Sequence, residues 1–503
     1  MSLFKKLASQ TALYGISTIL ARAVNFLLFP FYATILAPSD FGVMIDLYAH
    51  VALLNIIYLL GMETAYFRYS NRKDLNEQEI YDNAQTLLIL TSVFFSSILI
   101  INASNLANIL DYPDKQNYII WLAIILGTDA IVAIPFARMR FTNAAKKFAF
   151  IKIFNIGLTI LLNAFFLVFC KGINDDAFLP QLKVLVIKIY SPGNEVGYIF
   201  LSNLLANLFI VPFFWKSFKT LHFSLNKKLV FSMLNYSYPL IFMGLAGMIN
   251  ESFSRIILRK ILPTGYYQGK TSAEALGIFG AAYRFSVIMN LAIQSFRYAA
   301  EPFFFGQALD KNAPVVFAKI MKWFVIICLG LFLVVSLNLD LLGRVIFSNP
   351  IYREGMIVVP FLLLANLFLG IYYNLSVWFK LTDKTYYGTF ISIGGAILTI
   401  ALNFLLIPYF GYMGSAVTSL ICYLSMCLVS YIYGQKYFPI PYNIANAILY
   451  LIFAVFLVWI SRMINIENLY LKSAIGFILL MIYGLIVFVF EKKHLNFKSN
   501  TSV

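Results

Sequence analysis

The chain has 503 residues, of which 61% are hydrophobic and 12% are charged, and its formal net charge is +16 at pH 7. Soluble globular chains carry about 25% charged residues, so this composition excludes a soluble protein and indicates a polytopic membrane protein. Positive charge in such a chain is typical of cytoplasmic loops, and we therefore do not interpret it as a nucleic-acid-binding surface.

Apolar runs long enough to cross a bilayer, which takes about 20 residues, predict about fourteen transmembrane helices. The longest connection on the predicted external side, residues 171–195, is too short to form a separate soluble domain. The predicted spans are 8–36, 41–62, 82–103, 117–138, 149–170, 196–215, 232–262, 275–300, 320–342, 357–379, 387–407, 412–434, 443–463 and 471–490.

The first predicted span contains an arginine, Arg22, near its middle. On a helix, Arg22 and Asn25 fall on one polar face, whereas most of the opposite face is aliphatic. A guanidinium at helix-centre depth costs on the order of 3 kcal/mol and cannot shed its proton. We therefore expect Arg22 to face a partner or water, as one wall of a polar cavity.

The span that opens the second half of the chain, residues 232–262, has a similar polar face with Glu251 and Arg255, and the next span contains Arg284. Arginine suits the bidentate binding of phosphate oxygens. Together with Arg22, these arginines indicate a cationic central cavity that accepts a phosphate or pyrophosphate headgroup. An alternative stays open, because Glu251 lies four residues before Arg255 and could simply neutralise it.

Two further acids, Asp46 and Asp129, lie within predicted spans. Either could bind a proton or Na⁺ during an antiport cycle, and Asp129 is the better candidate because it sits near mid-span. Either could equally serve as the ion-pair partner of Arg22. Intramembrane asparagines such as Asn155 and Asn366 are expected to hydrogen-bond across helices.

An internal repeat relates the two halves of the chain. Residues 156–165 resemble residues 395–404 in polarity pattern, and each segment has an asparagine near its end, Asn163 and Asn403. Such repeats are common in transporters. They predict an N-lobe of six helices at 1–220, a C-lobe of six helices at 221–435, and helices 13 and 14 with a cytoplasmic tail at 436–503.

Lys and Arg are more frequent in the segments that would be cytoplasmic if the N-terminus is inside, which predicts that both termini are cytoplasmic. The sequence contains no Walker A, GxSxG or HExxH motif and only three histidines. We therefore expect a transporter rather than an enzyme, with no bound cofactor or metal, that is driven by an H⁺ or Na⁺ gradient, the membrane potential or the substrate gradient.

Three segments resemble a known family, the polysaccharide (O-unit) flippases of the multidrug/oligosaccharidyl-lipid/polysaccharide (MOP) exporter superfamily. They are the start LAPSDFG at 36–42, which follows Arg22 and Asn25, the segment GMETAYFRY at 61–69, and the segment NFLLIPYFGYMGSA at 403–416.

The resemblance implies two six-helix lobes in a V shape, two extra C-terminal helices and alternating access in a bacterial inner membrane. Its substrate class would be an undecaprenyl-pyrophosphate-linked oligosaccharide, such as an O-antigen repeat unit, moved to the periplasmic leaflet past Arg22 and Arg255. Polysaccharide polymerase or ligase machinery would be the partner. Two alternatives remain, namely a flippase for the peptidoglycan precursor lipid II and an ion-coupled multidrug antiporter of the same superfamily.

Overall fold

The computed structural model describes residues 28–72, 74–307, 310, 312–382, 384–464, 466 and 468–499. These residues are overwhelmingly helical, and no β-strand occurs among them. A bilayer core offers no water to backbone N–H and C=O groups, so segments that cross it satisfy those groups within helices. Contacts divide the chain into two compact units, one up to Ile256 and one from Ile257 onward.

Within the described residues, the first unit consists of helices and of the first part of a helix that crosses the division between the units. Its helices are α1 (28–35), α2 (Pro38–Leu59), α3 (Met62–Ser70), α4 (Glu77–Ile101), α5 (Ala103–Ile109), α6 (Gln116–Phe141), α7 (Ala145–Ala164), α8 (Lys171–Asn174), α9 (Lys183–Val186), α10 (Glu195–Ile210), α11 (Trp215–Lys219) and α12 (Lys227–Ile261).

The second unit begins inside α12 and ends with the two helices that follow the predicted repeat. Its remaining helices are α13 (Ser272–Gln307), α14 (Ala313–Leu337), α15 (Leu339–Ile346), α16 (Val359–Leu375), α17 (Val377–Leu381), α18 (Tyr386–Phe410), α19 (Tyr412–Tyr437), α20 (Ile444–Met463) and α21 (Leu469–Ser499).

Thirteen helical segments of the described part are long and apolar enough to cross a membrane. They coincide, in order, with the last thirteen predicted spans, so the prediction of an all-α polytopic membrane protein is confirmed. Most of the first predicted span, including Arg22 and Asn25, lies outside the described residues.

Local chemistry explains where several helices begin and end. The α2 helix ends at Leu59, and the next two residues, Leu60 and Gly61, have left-handed backbones with φ values of 50° and 64°. A Cβ atom at Gly61 would lie 2.9 Å from the Cβ of Ser237, so a glycine here lets α12 approach closely. Gly411, with φ 55°, makes the tight turn between α18 and α19, where the sequence predicts a connection of only a few residues.

The α4 helix begins at Glu77, earlier than the predicted span start at residue 82. The Asn76 side chain caps it by accepting a hydrogen bond from the Gln78 N–H at 2.9 Å. The extra turn and a half carries Gln78 and Glu79, whose side chains form hydrogen bonds with the connection before α12. The hydrophobic pattern alone does not indicate this contact.

The predicted repeat has a local counterpart in each unit. Asn163 and Asn403 are both buried, and the side-chain amide of each donates to the carbonyl one turn earlier, of Thr159 and Thr399 respectively, at 2.7 Å in both cases. The two matched segments therefore share a side-chain hydrogen bond as well as a polarity pattern.

Candidate functional site

The middle of α6 carries Asp129, which is joined to two neighbouring helices by side-chain amides. Asn207 of α10 donates its Nδ2–H to Asp129 Oδ1 at 2.9 Å. Asn155 of α7 in turn donates to Asn207 Oδ1 at 3.0 Å. A carboxylate is costly at membrane depth unless hydrogen bonds or a counter-charge stabilise it, so this chain of three side chains explains how α6 holds an acid there.

Lys152 supplies a positive charge to the same group. It lies one turn before Asn155 on α7 and interacts electrostatically with Asp129. Its Nζ lies 4.3 Å from the centroid of the Phe136 ring, a cation–π distance. Asp129, Lys152, Asn155 and Asn207 are called the α6 polar cluster below.

Asp46 belongs to a second group, in α2, and its carboxyl is almost fully buried at 3% exposure. Asp46 Oδ2 accepts a hydrogen bond from the Tyr112 hydroxyl at 2.8 Å. Its Oδ1 lies 3.3 Å from His50 Nδ1, one turn further along the helix. Tyr112 thus hydrogen-bonds one carboxyl oxygen of Asp46, and the His50 ring nitrogen accompanies the other at ion-pair distance. The coupling role of Asp46 stays a prediction.

Arg255 lies half-buried on α12, near the end of the first unit. Its Nη2 donates to Ser252 Oγ at 2.9 Å and to the backbone carbonyl of Glu251 at 3.2 Å. The Glu251 residue itself is exposed. Both of these hydrogen bonds lie within α12, and neither involves the Glu251 carboxylate.

Arg284 lies half-buried on α13 in the second unit. It shares that helix with Arg297, whose guanidinium carbon lies 4.1 Å from the centroid of the Tyr373 ring. The structure thus places two of the three arginines predicted for the cavity, Arg255 and Arg284, on consecutive spanning helices. Arg22 and its neighbour Asn25 lie outside the described residues.

The second unit also contains an apolar groove of about 360 Å³ between α14, α16, α19 and α20. Lys322 lines it, and its ammonium forms an ion pair with Glu491 of α21. Glu491 is 5% exposed and accepts a further hydrogen bond from the Tyr450 hydroxyl at 3.0 Å. This buried ion pair connects α20 and α21 to the rest of the unit.

Sequence reasoning missed two members of the α6 polar cluster. The hydrophobic pattern singles out neither Lys152 nor Asn207 as a partner of Asp129. A usable signal existed, because Asn203 and Asn207 are four residues apart and so share a face of α10. Asn155 was expected to bond across helices and does so, as does Asn366, which donates to the Ser286 carbonyl at 3.5 Å.

No group of three or more His, Cys, Asp or Glu side chains that could hold a metal ion occurs within the described ranges.

Residues 31–173 match the model of a family described as polysaccharide biosynthesis protein. No curated protein matches the chain by sequence.

Solved structures match over most of the chain. The lipid II flippase MurJ in an inward closed conformation has a TM-score of 0.66 and 12% identity, and the match covers 95% of this chain and 98% of that one. An inward-facing multidrug resistance transporter of the MATE family, in the MOP superfamily, has a TM-score of 0.60 and 13% identity, with 82% and 94% covered. At these identities the likeness establishes the fold.

Proposed function

We propose that this chain is a membrane flippase of the MOP exporter superfamily, and its fold and the family model matched by residues 31–173 support this proposal. Its cargo is an undecaprenyl-pyrophosphate-linked oligosaccharide, such as a surface-polysaccharide or O-antigen repeat unit. The cargo moves from the cytoplasmic to the periplasmic leaflet of the inner membrane by alternating access.

One combination of observations carries this proposal. The family model that matches residues 31–173 is described by polysaccharide biosynthesis, whereas the fold is that of exporters and of a lipid flippase. Transport of a lipid-linked glycan across the bilayer is a step of polysaccharide synthesis that an exporter fold can perform.

The arginines support a phosphate-bearing cargo. Arg255 and Arg284 are half-buried on spanning helices, where a guanidinium is retained only with a partner or water. A pyrophosphate offers the oxygens that a planar guanidinium binds in pairs. In this proposal Arg22, Asn25, Arg255, Arg284 and Glu251 line the path of the headgroup.

The apolar groove between α14, α16, α19 and α20 supports a lipid-borne cargo. Its walls are almost entirely hydrophobic side chains, and Lys322 places one cation against them. In our proposal the polyprenyl tail stays in the bilayer or in this lateral groove while the headgroup crosses.

The α6 polar cluster supports coupling to an ion gradient, with Asp129 as the group that binds H⁺ or Na⁺. The Asp129 carboxylate accepts a hydrogen bond from Asn207 and interacts electrostatically with Lys152. A cation bound to this carboxylate would weaken its interaction with both residues. Asp46 is the second candidate, with Tyr112 and His50 as its partners.

The test is the lipid-linked oligosaccharide profile of a strain in which the gene for this chain is deleted. We expect a pyrophosphate-linked oligosaccharide to accumulate on the cytoplasmic side and the surface glycan to be lost, with both restored by the wild-type gene. An unchanged profile with normal surface glycan would refute the proposal.

A second candidate is flipping of lipid II, favoured by the match to MurJ over 95% of this chain. It predicts that the chain rescues a strain depleted of its own lipid II flippase, and the O-unit proposal predicts no rescue. An ion-coupled multidrug antiporter would instead raise drug resistance on overexpression without changing either glycan.

A further inference from the structure

A second groove of the second unit, of about 660 Å³, runs along the contact between α18 and α19. Its floor includes Ile391, Gly395 and Met426, which are buried, and its rims include Phe390 and Ile397, which are 67% and 64% exposed. Apolar side chains this exposed on spanning helices are covered by hydrocarbon in a membrane.

Two adjacent glycines of α18, Gly394 and Gly395, line the groove. A Cβ atom at Gly394 would meet nothing within 4 Å, so the space above it is open. The adjacent Gly395 carbonyl accepts a hydrogen bond from the Cys422 thiol at 3.4 Å, which holds the two helices together beneath the groove. The lining runs from Tyr387 to Ala401, a helical length of about 21 Å, which exceeds the roughly 15 Å thickness of one leaflet's hydrocarbon.

One end of the groove is polar and positively charged. The hydroxyls of Tyr387 and Tyr437 are 2.7 Å apart, and the Lys384 ammonium lies 3.4 Å from the centroid of the Tyr437 ring. Trp378 packs against both tyrosine rings and donates its indole N–H to Ser430 at 3.3 Å, which fixes the cluster in place. Ammonium and phenol groups are donors for phosphate oxygens.

We propose that this groove is a binding site for one anionic phospholipid of the bilayer. An acyl chain lies along α18 over Gly394, and the phosphate lies at the Lys384–Tyr387–Tyr437 end. The length of the groove fits an acyl chain, and the ammonium at its end selects a negatively charged headgroup. The site does not involve the residues proposed to carry the flippase cargo, so either proposal can fail alone.

The experiment is native mass spectrometry of the full chain released from nanodiscs that contain equal amounts of phosphatidylglycerol and phosphatidylcholine. We expect one retained phosphatidylglycerol, favoured over phosphatidylcholine by about fivefold, as one lysine near a headgroup provides. Gly394→Leu fills the groove and should abolish this retention. Lys384→Gln should remove the preference for phosphatidylglycerol and leave weaker retention of both lipids.

Gly484→Leu is the matched control. Gly484 lies on α21, and a Cβ there also meets nothing within 4 Å, so both substitutions add the same side chain to an open helical position. The control should retain the lipid as the wild type does. Equal retention of lipid by Gly394→Leu and Gly484→Leu, or equal retention of the two lipids by the wild type, would overturn the site. A retained polyprenyl phosphate in place of the phospholipid would overturn the assignment of its ligand.

Discussion

At the scale of single residues, the pair of Asp129 and Lys152 places opposite charges in the interior of the first unit. Lys152 is a charged neighbour of Asp129, so removing the acid leaves this half-buried lysine without a compensating charge, which is destabilising. We expect Asp129→Ala to lower the free energy of unfolding by on the order of 2 kcal/mol. The double variant with Lys152→Met should recover most of that loss. Thermal unfolding in detergent provides the measurement.

The control for this pair is Glu354, whose carboxylate binds Lys270 at 2.6 Å with a largely exposed side chain. Exposed ion pairs contribute about 1 kcal/mol or less, so Glu354→Ala should have a small effect. If Asp129→Ala were no more destabilising than Glu354→Ala, or if adding Lys152→Met made it worse, the two charges would not act as a pair.

The arginines make a prediction about transport rather than stability. Arg22→Ala and Arg255→Ala should each abolish export of surface glycan while the amount of protein in the membrane stays normal. A hydrogen bond to a charged group contributes about 1.5–3 kcal/mol, so each loss corresponds to at least roughly a tenfold drop in export. Lysine at either position should restore export in part if charge alone matters, and poorly if the forked geometry matters.

Arg344 provides the matched control, because it is an exposed arginine at the end of α15. Arg344→Ala should export glycan normally, as scored by surface-glycan staining alongside membrane immunoblots. Normal export by both Arg22→Ala and Arg255→Ala would show that neither arginine binds the cargo.

At the scale of elements, the connection between α11 and α12 lies against the start of α4. Alternate backbone N–H groups of the connection, at His222, Ser224 and Asn226, donate to side chains of α4, and the first reaches Asp82 Oδ1 at 3.1 Å. Asp82 is 6% exposed, so it is committed to this contact. The connection is therefore held in place by side chains rather than by a backbone ladder.

We expect Asp82→Ala to release this connection. Hydrogen exchange at residues 222–226 should accelerate about tenfold, and trypsin should cleave faster at Lys227 and Lys228, because losing a hydrogen bond to a charged acceptor costs about 1.5 kcal/mol or more. Glu79→Ala is the control from the same helix, since the Glu79 carboxylate accepts a hydrogen bond from the exposed side chain of Asn226 rather than from a backbone N–H of the connection. Exchange that is unchanged in Asp82→Ala would show that other contacts hold the segment.

At the scale of the whole molecule, the order of the spans and the repeat follow from the chain itself. Thirteen predicted spans are helices in the described part of the structure, because an apolar segment that crosses a bilayer satisfies its backbone hydrogen bonds by forming a helix. The segments around Asn163 and Asn403, matched by polarity alone, also share the same hydrogen bond to a carbonyl one turn earlier. The predicted boundaries at residues 220 and 435, the central cavity and the coupling ion remain predictions.

The sequence by itself determined the class of this protein, its helical spans and its repeated segments, because each depends on composition and on spacing within one helix. Only the tertiary structure decided that Asp129 meets Asn207, that Lys152 joins them, and that α18 and α19 leave an open groove above Gly394. These contacts depend on how helices distant in the chain are rotated and packed against one another. An apolar pattern shows which residues enter a membrane, but many pairings of the polar residues within it are equally compatible with that pattern.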